Sequence, residues 1–247
     1  MKYFANWKLN LNLNESIALA KEYLTLQVAK NDEITIMPSM FAIGQVQQIV
    51  GSNFHVFAQD VSILKGRGGL TGEITATILK ECGIKGSLVG HTERRNKLAE
   101  NSVQVKQKIM NCTEENLEIL LSIGEYGKDL FTVEDSGVFF KKELNFLLGE
   151  LKPEQINKIV VACEEPMNIS SLSTSTVVID YSELHQKINY IKSVLINDLH
   201  ASQTAVLYGG SVHSENIKAL KQMGNLDGFV IGKASLDVVQ MQAILSI

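Results

Sequence analysis

The chain has 247 residues, of which 45% are hydrophobic and 20% are charged, and its formal net charge is −4. A weakly acidic chain lacks the basic surface of a nucleic-acid-binding protein. No apolar run reaches the roughly 18 residues that span a bilayer, and the N-terminus shows no apolar core of a signal peptide. Cys82, Cys112 and Cys163 show no CxxC spacing, which favours reduced thiols over disulfides or a zinc site. We therefore expect a cytoplasmic protein that binds neither nucleic acid nor membrane.

Short apolar runs alternate with amphipathic segments along the whole chain. The predicted strands are Tyr3–Trp7, Ile34–Met37, His55–Ala58, Gly86–Val89, Glu118–Ile123, Lys158–Cys163, Ala205–Tyr208 and Gly228–Ile231. Helical spacing is found in Ser16–Val28, Ser102–Met110, Glu134–Leu148, Tyr181–Ile196 and Ser214–Met223. Apolar strands that alternate with helices indicate a parallel sheet covered by helices. Eight such units predict one α/β domain over residues 1–247, a (β/α)8 barrel of eight parallel strands surrounded by helices.

Polar and glycine residues follow the predicted strands where active sites of such barrels lie, at the carboxyl ends. In chain order they are Asn6 and Lys8, Gln59 and Asp60, His91, Glu125, Glu164 and Glu165, Gly209 to Ser211, and Gly232 and Lys233. Their convergence predicts one functional rim.

His91 lies between the fourth strand and a predicted helix, after Gly90, which permits a sharp turn. At a helix start it faces free backbone N–H groups and the positive end of the helix dipole, which favours a neutral imidazole. Such a ring can donate a proton-bearing nitrogen to a substrate oxygen. A capping or packed histidine is the alternative interpretation of this residue alone.

Several short motifs occur together, in a fixed order, over almost the entire chain. They are Asn6-Trp7-Lys8, Ala58-Gln59, Thr71-Gly72-Glu73, Gly90-His91-Thr92-Glu93-Arg94-Arg95, Ile123-Gly124-Glu125, Glu165-Pro166, Tyr208-Gly209-Gly210-Ser211-Val212 and Gly232-x-Ala234-Ser235. In this order and spacing the chain resembles the triosephosphate isomerase family. The resemblance implies interconversion of dihydroxyacetone phosphate and D-glyceraldehyde 3-phosphate through an enediolate, in glycolysis and gluconeogenesis, with no cofactor or metal.

The resemblance also implies roles for individual residues. Removing a proton next to a carbonyl requires a carboxylate base, an electrophile for the developing oxyanion and a fixed cation. By resemblance Glu165 is the base, His91 the electrophile and Lys8 the cation, with Asn6 beside it and Glu93 as a supporting carboxylate. The expected substrate-binding and phosphate-binding residues are Asn6, Lys8, Ser171, Gly210, Ser211, Gly232 and Lys233. The loop around Thr71 implies a homodimer.

The sequence departs from the family pattern around the sixth strand. Glu164 and Glu165 are adjacent, and alternation along a strand allows only one to face the substrate. We choose Glu165 because it precedes Pro166, whereas aligning Cys163 with the family's tyrosine selects Glu164. Asn168, Ser170 and Ser171 replace typical lid residues, so we expect a less favourable closed lid and more phosphate elimination. The alternative function is a catalytically weakened relative that binds phosphosugars.

Overall fold

The computed structural model describes residues 1–124, 133–165 and 179–247, with side chains except at 133 and 134. Eight parallel strands form a closed barrel in which each strand pairs with the next along the chain and the eighth pairs with the first. They are β1 Lys2–Asn6, β2 Glu33–Met37, β3 His55–Ala58, β4 Gly86–Val89, β5 Glu118–Gly124, β6 Ile159–Glu164, β7 Ala205–Tyr208 and β8 Gly228–Ile231. Each predicted strand lies within one residue of its observed bounds, and the predicted (β/α)8 barrel is confirmed.

The interior of the barrel is filled by one buried apolar side chain from each strand. These side chains are Phe4, Met37, Phe57, Leu88, Leu120, Ala162, Leu207 and Val230. Because side chains alternate along a strand, the residue two positions further on also faces the barrel axis, now at the carboxyl-terminal rim. This register directs Asn6, Glu164, Gly209 and Gly232 towards one end of the barrel.

Helices cover the outside of the barrel and pack against the outward-facing strand residues. They are α1 Leu13–Tyr23, α2 Ile43–Val50, α3 Ala76–Glu81, α4 Thr92–Leu98, α5 Ser102–Glu114, α6 Val133–Leu148, α7 Pro153–Ile156, α8 Tyr181–Asn197, α9 Ile217–Gln222 and α10 Val238–Leu245. A short 3₁₀ helix, Lys233–Leu236, follows β8. Side-chain caps begin several helices, as at Asn101 for α5 and Asp180 for α8.

The first helix begins three residues before the predicted Ser16–Val28 and also ends earlier. Asn12 accepts a hydrogen bond from the Glu15 N–H, and the Glu15 carboxylate accepts one from the Asn12 N–H. This capping box satisfies free N–H groups and sets the start of α1. Leu26 is buried although it lies beyond the end of α1. The apolar spacing in the sequence therefore continued past the end of the helix and made the predicted helix too long at its C-terminus.

No helix within the described ranges has the length and apolarity needed to cross a bilayer. The same part of the chain contains no group of three or more His, Cys, Asp or Glu side chains arranged to hold a metal ion.

Candidate active site

A cavity of about 600 Å³ opens at the carboxyl-terminal rim of the barrel. Among the predicted site residues, those that line it are Asn6, Lys8, His91, Glu164, Gly210, Ser211, Gly232 and Lys233. They follow β1, β4, β6, β7 and β8, so the rim brings together residues up to 227 positions apart in the sequence (Asn6 to Lys233). Sequence reasoning did not single out Asn10, His213 and Gln240, which also line the cavity. Asn10 and His213 lie in connecting segments and Gln240 lies in α10, and the strand pattern predicts the position of none of them.

His91 caps the start of α4, and its ring also reaches the cavity. Gly90 has a φ of 76°, which an L side chain rarely adopts, and this turn carries the chain from β4 into the helix. The His91 Nδ1 accepts a hydrogen bond from the Glu93 N–H at 3.2 Å. A nitrogen that accepts carries no proton, so the ring proton of the neutral imidazole is on Nε2. His91 is therefore a helix cap whose Nε2 remains on the cavity side, and its role as electrophile stays a prediction.

Lys8 occupies a left-handed backbone conformation, with a φ of 50°. Its N–H donates to Asn6 Oδ1 at 3.1 Å, and its carbonyl accepts from Gln59 Nε2 at 2.9 Å. Its ammonium lies 2.8 Å from Glu93 Oε1. The conformation costs on the order of 1 kcal/mol or more for a residue with a side chain, and these contacts offset that cost while they hold the ammonium at the cavity.

Glu164, not Glu165, faces the cavity. Its side chain is 1% exposed, and Oε1 lies 3.2 Å from His91 Nε2. Oε2 accepts hydrogen bonds from the Thr92 N–H at 2.9 Å and from the Thr92 hydroxyl at 2.5 Å. Oε1 faces the His91 ring and lies at the cavity.

Glu165 lies on the opposite side of β6, outside the cavity lining. Its Oε2 accepts from the Tyr208 hydroxyl at 3.1 Å, and its Oε1 is 3.5 Å from Lys187 Nζ. Of the two glutamates, the geometry therefore places at the cavity Glu164, and not Glu165, which the sequence-based prediction selected as the base. The physical reason is the alternation of β6: Ala162 faces the barrel interior, so Glu164 does too, whereas Cys163 and Glu165 face outward. The proline that guided the choice says nothing about which face is inside.

The other end of the cavity is built from backbone after β7 and β8. Asn216 Nδ2 donates to the Ser211 carbonyl at 2.7 Å, and the Ser235 hydroxyl donates to the Gly232 carbonyl at 2.6 Å. Gly232 approaches Lys8: a Cβ added there would lie 3.8 Å from the Lys8 Cε. This end is polar and rich in glycine, and Lys8, Lys233 and Asp237 line the same cavity; backbone N–H groups in such turns can bind anions.

A family model for triosephosphate isomerase matches residues 2–247. The chain belongs to the triosephosphate isomerase family. It is similar to the triosephosphate isomerases of Mycoplasma genitalium and Mycoplasma pneumoniae, each 31% identical, with 94% of this chain and 92% of the relative covered. The triosephosphate isomerase of Thermodesulfovibrio yellowstonii is 29% identical, with 98% of this chain and 96% of the relative covered.

Membership of the triosephosphate isomerase family confirms the resemblance and makes the protein an isomerase. The alternative, a weakened relative that only binds phosphosugars, is not favoured. The predicted lid positions Asn168, Ser170 and Ser171, as well as Glu125, lie outside the described residues. Thr71 lies in an exposed loop away from the cavity lining.

Proposed function

We propose that this protein interconverts dihydroxyacetone phosphate and D-glyceraldehyde 3-phosphate, in glycolysis and gluconeogenesis. The observation that carries the proposal is the meeting of one carboxylate, one imidazole and one ammonium in a single cavity, those of Glu164, His91 and Lys8. A proton transfer next to a carbonyl needs these three groups. The proposal therefore involves no cofactor or metal.

Glu164 acts as the base in this proposal. Its carboxylate takes the proton from the carbon next to the carbonyl, and the electron pair of the C–H bond moves towards the carbonyl oxygen to give an enediolate. The carboxyl group then returns a proton to the neighbouring carbon, while the hydroxyl proton on the first carbon moves to the former carbonyl oxygen, so that the carbonyl group is now on the first carbon. Support comes from the position of Oε1, which is buried at the cavity beside His91 Nε2, whereas Glu165 lies outside the cavity lining.

His91 and Lys8 stabilise the oxyanion. The Nε2–H of His91 donates to the enediolate oxygen, and the Lys8 ammonium supplies positive charge from the other side. Asn6 holds the Lys8 backbone. Glu93 orients both groups, because its N–H fixes the imidazole and its carboxylate contacts the ammonium. Glu93 is thus a supporting residue that need not touch the substrate.

The phosphate group binds, in this proposal, to backbone N–H groups of Gly210, Ser211, Gly232 and Lys233, and to Ser171 by analogy with the family. Support comes from the clustering of the first four residues at one end of the cavity, beside Lys8. The nearby ammonium adds attraction for a dianion.

We also propose a homodimer in the cytoplasm. Four large apolar side chains in the segments after β1 to β4 are exposed: Leu9 by 90%, Phe41 by 79%, Leu70 by 56% and Leu98 by 64%. Leu70 adjoins Thr71 in the loop that the family uses for dimerisation. Apolar side chains exposed in neighbouring segments of the rim favour a protein partner. The three free cysteines support a reducing compartment.

A coupled assay of triose phosphate interconversion tests the proposed function. The purified protein should be active, and Glu164→Gln should lower kcat by about 10³-fold because it removes the base. Glu165→Gln, the matched control at the next residue, should stay within about threefold of the unsubstituted protein, since Gln keeps the shape and the acceptor for Tyr208. An inactive protein would refute the activity. Loss of activity only in Glu165→Gln would refute the assignment of the base.

A further inference from the structure

Glu165 has buried partners on two different elements although it lies outside the cavity. The Tyr208 hydroxyl, on β7, donates to its Oε2 at 3.1 Å. The ammonium of Lys187, on α8, lies 3.5 Å from its Oε1. Tyr208 is fully buried and the Lys187 side chain is 6% exposed. The carboxylate at position 165 is therefore held from two sides.

Lys187 also has a second carboxylate partner. Its ammonium lies 2.7 Å from Glu183 Oε1, one turn earlier on α8. A buried ammonium needs compensating charge because desolvation penalises it. We call Glu165, Lys187, Tyr208 and Glu183 the outer cluster. The proposed reaction uses none of its members.

The outer cluster is connected to the phosphate end of the cavity through Tyr208. A Cβ added at Gly210 would lie 2.1 Å from the Tyr208 hydroxyl oxygen, so this hydroxyl packs directly against the loop after β7. The Gly209 N–H also donates to the Cys163 carbonyl at 2.8 Å. One hydroxyl thus joins the residue after the proposed base to the loop of the proposed phosphate site.

Two adjacent glutamates at a strand end create an ambiguity of register. A slip of one residue would turn Glu165 towards the cavity and Glu164 away from it, because successive side chains point to opposite faces. The Tyr208 hydroxyl, a hydrogen-bond donor, and the Lys187 ammonium, a cation, both lie on the outer face of β6. They favour the arrangement in which Glu165 is outside and Glu164 is inside.

We propose that Glu165 is a positioning residue for the reaction: its contacts with Tyr208 and Lys187 fix the end of β6 so that the Glu164 carboxylate faces the substrate. The proposal rests on the proposed role of Glu164 as base. Loss of the anchor displaces the base relative to the substrate, which lowers kcat. It leaves the phosphate contacts in place, so KM changes little.

The test compares Glu165→Ala with Glu183→Ala, since both remove one carboxylate from the same buried lysine. Glu165→Ala should lower kcat about tenfold, with KM within about twofold of the unsubstituted protein, because a small displacement of a reacting group costs rate. Glu183→Ala should leave kcat within about twofold. Equal losses of kcat in the two variants, or a lower melting temperature of Glu165→Ala with unchanged kcat, would overturn the proposal.

Two further variants keep the test decisive if Glu165→Ala does not fold. Glu165→Gln, which still accepts from Tyr208, should keep most of the kcat of the unsubstituted protein, and a tenfold loss of kcat in this variant would contradict the proposal. Tyr208→Phe removes only the hydroxyl and should lower kcat about threefold at an unchanged melting temperature; an unchanged kcat would contradict the proposal. Failure of the proposed function would be seen separately, as an inactive unsubstituted protein or as an active Glu164→Gln variant.

Discussion

Single residues at the rim combine two tasks, one for the fold and one for the chemistry. His91 caps α4 through Nδ1 and leaves Nε2 for the cavity, and Lys8 has a strained backbone that directs its ammonium inward. Replacing either residue by a larger apolar side chain should therefore remove both a structural contact and a contact of the proposed reaction.

Replacing the imidazole tests the role of His91 directly. His91→Gln should lower kcat about 10²- to 10³-fold, the usual effect of losing one donor to a developing oxyanion. Steady-state kinetics measures it. His55→Gln is the matched control, because His55 is exposed at the opposite end of the barrel, and its kcat should be unchanged. A His91→Gln variant with unchanged kcat would exclude the imidazole as electrophile.

Most of the predicted residues that line the cavity could be found from the sequence because each lies at or just after a strand end. His91, Lys8 and Asn6 required only the strand pattern and the family motifs. The choice between Glu164 and Glu165 was harder to make from the sequence, because both residues fit a strand end and a motif that contains proline. The deciding fact is the inward position of Ala162, and one strand read alone does not show which of its faces is the barrel interior. The register of β6 with its neighbouring strands shows which face of β6 is the barrel interior.

Among the elements, α4 and α5 carry a buried network of charges next to β3. Lys108 on α5 contacts Asp60 at 2.7 Å and also contacts Glu100. Arg94 on α4 lies 2.8 Å from Asp60 and 3.2 Å from Glu100. Burial raises the pKa of the Asp60 carboxyl group, and the Lys108 ammonium opposes that rise. The network joins three segments, so its loss weakens their packing.

Removing Lys108 should destabilise the fold strongly. Lys108→Met leaves two buried carboxylates with less compensation and should lower the free energy of unfolding by about 3–5 kcal/mol, measured by urea denaturation. Lys106→Met on the same helix should cost less than about 1 kcal/mol, because its partner Glu150 is mostly exposed. Equal costs for the two variants would contradict the account.

The loss in Lys108→Met should depend on pH with a defined sign. Without the ammonium, burial raises the pKa of Asp60 further above its unfolded value. A carboxyl group with a raised pKa in the folded state favours folding when protonated, and this contribution disappears as the pH rises through that pKa. The stability deficit should therefore be smaller near about pH 4 than near about pH 7. The same deficit at both values would contradict this explanation.

Helix ends were less predictable than strands. The predicted Ser214–Met223 begins as a helix only at Ile217, and short helices such as α3 and α7 show too few turns for an apolar period. Ser102–Met110 was correct at its start but extends to Glu114. Capping residues and tertiary packing determine where these helices begin and end. The spacing of apolar residues contains information on neither.

At the scale of the whole molecule, the rim is divided between two surfaces. The segments after β7 and β8 line the polar cavity together with residues at the ends of β1, β4 and β6, whereas Leu9, Phe41, Leu70 and Leu98 are exposed in the segments after β1 to β4. The alternation of strands and helices predicted the closed barrel, but only the closed structure brings these four segments to neighbouring positions on the rim.

The proposed homodimer can be tested by sedimentation velocity. The unsubstituted protein should sediment as a dimer, and Leu70→Glu should shift it to the monomer, because a charge buried in an apolar interface is costly. Val239→Glu is the control, since Val239 is exposed on α10 at another surface, and it should remain dimeric. A monomeric unsubstituted protein would refute the proposal.

The transfer of deuterium from D₂O into the triose phosphates tests the assignment of Glu164 most directly, because it follows the proton that the base carries. With the unsubstituted protein and with Glu165→Gln, deuterium should appear at the carbon next to the carbonyl, detected by NMR. With Glu164→Gln it should not appear above the uncatalysed background. Deuterium incorporation by Glu164→Gln, together with its loss in Glu165→Gln, would contradict the account.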